Sequence, residues 1–209
     1  MTRLIGRAYV LLGIAVSALY LFVPATASAG ILLIVVMTVG ALIYGVHRFR
    51  PRRRLPWWLL AAGALSFTIS SAVGAIAGSF PSAGDAIWFA VSLPAILFGF
   101  LGLSRSGAVS RDRAAMIDSL IVTAGAGFLA WVYLINPYLT DPGLTTLQKA
   151  VSVAYPLGDV LLLAVLARLA LSARRSWNVL LLLVAGTAFL ISDILFSLDG
   201  CTASGAPAG

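Results

Sequence analysis

SVAYPLGDVLLLAVLARLALSARR, residues 152–175, is an apolar run that keeps Tyr155, Pro156, Gly158 and Asp159 in one short stretch. Most of it reads as a lipid-facing helix. A carboxylate inside such a run needs a reason, and the surrounding sequence says what kind of protein holds it.

Hydrophobic residues make up 61% of the 209 and charged residues 10%, with a mean hydropathy of +1.03. A soluble domain carries about 25% charged residues, so the composition is that of a membrane protein. One Cys and one His exclude an internal disulfide and a protein-only zinc site, and leave haem only His47 as an imidazole ligand. No cofactor is expected. The net charge of +7 does not point to nucleic acid, because the basic residues follow membrane topology.

Seven apolar runs, near 6–23, 31–46, 57–78, 86–103, 116–138, 149–171 and 177–198, approach the roughly 20 residues that cross a hydrocarbon core. Arg3 and Arg7, HRFRPRRR (47–54), SRSGAVSRDR (104–113) and SARRS (172–176) lie at one set of ends. The opposite linkers, PATASAG, SFPSAGD and TDPGLTTLQK, hold one basic residue, Lys149. Basic loops stay cytoplasmic, so the sequence predicts an all-α transmembrane bundle over 1–198 with its N-terminus inside. Trp57, Trp58 and Trp177 then fall at inner interfaces, and Tyr20, Trp88, Tyr133 and Tyr138 at or near outer ones. The first run, followed by ATASAG, also resembles a cleavable secretory signal; an uncleaved span fits its length better. Residues 199–209 are small and polar and read as a disordered tail.

Within this frame several groups stand out. Ser66, Ser70, Gly74 and Gly78 form a small-residue stripe, either a homodimer face or a seam inside the bundle. Arg48, Arg50, Arg52, Arg53 and Arg54 set topology and suit anionic lipid headgroups of the bilayer. Asp118, Asp159 and Asp193 lie in or at the edge of spans, where a charge costs about 3 kcal/mol and implies a partner. Asp118 falls near the inner end beside Arg111 and Arg113, Asp159 at the midplane and Asp193 in the outer third, so the three are not expected to form one cluster. Ser152, Tyr155 and Asp159 share a helix face. Pro156 removes the helix partner of the Ser152 carbonyl, and Gly158 allows close approach. A structural latch, a sensing site and an ion or proton path all fit these residues.

Catalysis finds little support. Zincin and P-loop motifs are absent, a Ser-His-Asp site would have to use His47 in a basic loop, and PLGD lacks the Tyr-Asp element of an intramembrane aspartyl protease.

DRAAMIDSLIVTAGAGFLAW (112–131), LQKAVSVAYPLGDVLLLAVLARLAL (147–171) and FLISDILF (189–196) resemble the multi-span N-terminal region of actinobacterial membrane proteins that continue into GGDEF and EAL domains of cyclic-di-GMP signalling. AYPLGD is the most specific element. The resemblance implies a sensory input module with a cytoplasmic GGDEF/EAL output domain in a longer parent chain, reached through an eighth span. Both catalytic motifs need Glu, and this chain has none, so neither chemistry resides in it. Asp118, Asp159 and Asp193 carry over as matching positions only. A small transporter or channel-like protein is the alternative reading.

Overall fold

The computed structural model describes residues 12, 13, 15, 27–104, 113–172 and 177–203. The first expected span, with the question of its cleavage, lies almost wholly outside these residues. All other expected spans correspond to helices: α1 (Ala27–Phe49), α2 (Leu55–Ala77), α3 (Ala83–Ser104), α4 (113–140), α5 (Thr146–Ser172) and α6 (Trp177–Ala203). Among the described residues there is no strand. α2, α3, Met116–Thr140 of α4 and Thr146–Leu171 of α5 are each long and apolar enough to cross a membrane. The corresponding apolar stretches of α1 and α6, Leu33–Phe49 and Val179–Asp193, are shorter. α6 continues to Ala203, past the expected end at 198.

α5 is the central helix. It packs against α3, α4 and α6, while α2 packs against α1 and α3. Leu60, Phe100, Leu162, Leu166, Leu169 and Leu190 form the core where α2, α3, α5 and α6 meet. Lipid tails are as apolar as leucine, so close packing rather than exclusion from water holds such helices together. Glycines supply that closeness. A Cβ on Gly186 would stand 2.6 Å from Leu166 Cδ2, and one on Gly63 2.6 Å from Ile96 Cγ1. The outside of the bundle is apolar too, with Val36, Ile76, Phe98 and Phe128 more than half exposed, as a lipid-facing surface requires.

The small-residue stripe of α2 turns inward. Ser66 and Ser70 are buried, and Ser70 donates to the Gly84 carbonyl of α3 at 2.8 Å. A Cβ on Gly84 would run into the Ser70 carbonyl and stand 2.9 Å from the Gly74 amide nitrogen. Gly78 ends α2 in the left-handed region at φ 59°, where glycine carries no steric penalty, and its amide bonds the Gly74 carbonyl.

α3 and α4 each contain one widened π turn. At Trp88–Ser92 the Leu93 amide reaches back to the Trp88 carbonyl, and at Trp131–Ile135 the Asn136 amide reaches Trp131. Each π turn stops two residues before a proline, Pro94 or Pro137. A proline ring clashes with the carbonyl four residues back, and a widened turn relieves that clash. Pro156, by contrast, lies fully buried inside an α5 that stays helical on both sides of it.

Candidate functional site

The site is built at the end of the bundle where the α2–α3 and α4–α5 turns lie. After Gly78 the chain crosses Ser79 to Pro81 and enters α3 through a capping box. The Ser82 hydroxyl accepts from the Gly84 amide at 3.1 Å, while the Asp85 carboxylate accepts from the Ser82 amide at 2.6 Å and from its hydroxyl at 2.9 Å. This fixes Asp85 at the head of α3. Its other oxygen accepts the Tyr155 hydroxyl proton from α5. One carboxylate thus caps its own helix and ties it to the central one.

Two further contacts hold this end. Gln148 Nε2 donates to the Phe80 carbonyl at 3.2 Å, docking the start of α5 on the α2–α3 turn. Lys149, the lone basic residue of its linker group, donates to the Leu139 carbonyl at 3.0 Å and so satisfies the end of α4.

Below these turns lies a cavity of about 510 Å³. α5 contributes Ser152, Tyr155 and Asp159 to its wall, the face expected from their spacing. α6 adds Ser192 and Asp193, α3 adds Asp85, α4 adds Tyr138, and α2 adds Phe67, Ser71 and Gly74. A smaller cavity of about 150 Å³ shares Phe67, Asp85, Tyr155 and Asp193 and reaches Trp88. Among the described residues, no Lys or Arg lines either cavity.

Asp159 and Asp193, expected at different depths, are neighbours on the wall of this cavity. The antiparallel register that sets Gly186 against Leu166 also sets Asp193 against Asp159, two turns further along each helix. Ser152 is nine-tenths buried and faces the cavity. Gly158 sits against α3, where a Cβ would stand 3.0 Å from Leu93 Cδ2.

Other expectations fall elsewhere. Asp118 is exposed on α4 and does not line the cavity, and its pairing with Arg111 and Arg113 lies outside the described side chains. Trp88, expected near a membrane interface, is buried at 5% exposure. It packs against Phe67 and Phe189 at centroid distances of 5.3 and 5.9 Å, forming an aromatic wall beside the cavity. In the sequence Asp85 falls at the end of the linker SFPSAGD. The Ser-x-x-Asp pattern ahead of an apolar run was its visible signal.

Among the described residues no three acidic, His or Cys groups are placed to hold one metal ion. What the site offers is a half-open cavity, apolar over most of its wall, lined also by three carboxyl groups, hydroxyls and aromatic edges. No protein-family model, curated protein or solved structure matches the chain.

Proposed function

We propose that the chain is a non-catalytic sensory or regulatory module of a cell membrane, with about seven spans and a cytoplasmic N-terminus. In this reading the cavity lined by α2, α3, α4, α5 and α6 is the input element. The observation that carries it is the convergence of Asp85, Tyr155, Asp159 and Asp193 on one cavity of an otherwise apolar bundle. Intramembrane acids are expensive to keep and mark functional sites. Tyr155–Asp85 and Asp159–Asp193 join α5 to two neighbours, so a stimulus that competes for either contact alters helix packing. Pro156, between the two, removes one backbone hydrogen bond of α5 and lowers the cost of that change.

The resemblance to input regions of GGDEF/EAL proteins supports cyclic-di-GMP synthesis or breakdown as the controlled output, carried by a cytoplasmic domain of a longer parent chain. The test is to place Asp159→Asn and Pro156→Ala in the natural gene and measure cellular cyclic-di-GMP. Altered levels with normal membrane abundance are expected. Unchanged levels for both variants would sink the reading.

A transporter is the second reading, favoured by the size of the acid-lined cavity. It requires solute flux in proteoliposomes that Asp159→Asn abolishes.

A further inference from the structure

A second site lies at the other end of α2. α1 ends at Phe49, and Arg50 takes a left-handed backbone at φ 42°, unusual for a residue with a side chain. Its amide still bonds the Val46 carbonyl at 3.2 Å, so this conformation turns the chain directly out of the helix. The return into α2 runs through Arg54, whose carbonyl accepts the Trp57 and Trp58 amides, both at 3.1 Å. The turn leaves a cavity of about 320 Å³ lined by Val46, His47, Arg50, Arg54 and Trp58.

Its walls are preset. His47 Nδ1 lies 2.9 Å from the Ile43 carbonyl, and its ring meets Trp58 edge-on at 5.8 Å. The first turn of α2 has no acidic residue, so its positive helix end is uncompensated and adds to the two guanidinium groups. Among the described residues, no Asp lines the cavity. One helical turn along α1 from His47 is Ile43, and two turns along α2 from Trp58 is Leu65. Both are exposed, at 39% and 46%. A cationic cavity therefore sits at the head of an apolar, outward-facing helix pair, with a Trp at the junction.

We propose that Arg50 and Arg54 bind the phosphate of an anionic phospholipid in this cavity, with His47 and Trp58 as its walls and the acyl chains lying along Ile43 and Leu65. Charge complementarity selects the phosphate, and the apolar surface beside it selects a lipid over a soluble anion. Arg48, Arg52 and Arg53 belong to the same basic segment but do not line the cavity. The site consequently differs from a diffuse basic patch, in which every arginine would count alike. It stands independently of the sensory reading.

The test is native mass spectrometry of the full chain titrated with dioleoyl phosphatidylglycerol or dioleoyl phosphatidylcholine. Phosphatidylglycerol should bind about tenfold or more tightly than phosphatidylcholine, given about 1 kcal/mol for each surface arginine. R50Q/R54Q should remove that preference. R52Q/R53Q, which deletes the same charge, should change it less than about twofold. R50K/R54K, which keeps the charge and the fold but loses the planar fork, should fall between. Equal losses in R50Q/R54Q and R52Q/R53Q, or no preference in the unaltered chain, would overturn the site. Displacement of phosphatidylglycerol by millimolar inorganic phosphate would assign the cavity to the free anion and overturn the lipid assignment.

Discussion

Tyr155 and Asp85 illustrate how much one side-chain pair does here. Removing the phenol oxygen in Tyr155→Phe should cost about 0.5–1.5 kcal/mol, the range for a single hydrogen bond in a helical membrane protein. Denaturant titration in mixed micelles measures it, and a double-mutant cycle with Asp85→Asn should show coupling; additive losses would mean the bond contributes nothing. Ser92 makes the opposite case. Its hydroxyl is buried without a hydrogen-bond partner among the described residues, so Ser92→Ala should leave stability unchanged or raise it by up to about 1 kcal/mol in the same titration. The α5 face was legible in the sequence, because helical spacing alone aligns Ser152, Tyr155 and Asp159. The Asp159–Asp193 contact was not. Depth counted from approximate helix ends carries an error of several residues, and only the packing of Leu166 over Gly186 fixes the register of α5 against α6.

Helix pairs are set by where side chains are absent. Gly84→Ala drives a methyl into the backbone of α2 at Ser70 and Gly74, where no rotamer can yield. A loss of about 1–3 kcal/mol is expected. A Cβ on Gly125 of α4 would meet nothing within 4 Å among the described residues, so Gly125→Ala should instead gain up to about 1 kcal/mol from helix propensity. Thermal unfolding of both variants checks the contrast, and equal effects would argue against the α2–α3 contact. Helix positions were readable because apolar length and basic punctuation are properties of the chain itself. The π turns were not, since a proline signals strain without saying how the helix relieves it.

For the molecule as a whole, the proposed topology puts the basic linkers on one face and the linkers that hold Ser79 and Asp141 on the other. Single cysteines introduced in a Cys201→Ser background report them in intact cells. Arg52→Cys should resist a membrane-impermeant thiol reagent until the membrane is opened, whereas Ser79→Cys should react from outside. Reaction of both from one side would overturn the alternating topology. The fold class was the most legible feature, because GxxxG-like stripes, apolar runs and arginine placement all act through the bilayer. The candidate site is less legible because its cavity uses residues from five helices, and no local pattern records that convergence.

The π turn at Trp88–Ser92 has a consequence for length variation. A π turn holds one residue more than the α turn it replaces. Deleting Val91, which is half exposed, would return the segment to an α turn while keeping the faces on either side aligned. Asp85 would still point to Tyr155, and Phe100 would still reach Leu162. Deleting one residue anywhere in 95–101 would swing every later side chain by about 100°. α3 can therefore shorten by one residue at the π turn and almost nowhere else, provided Pro94 is replaced as well, because the restored α turn would otherwise meet the proline ring that the π turn accommodates.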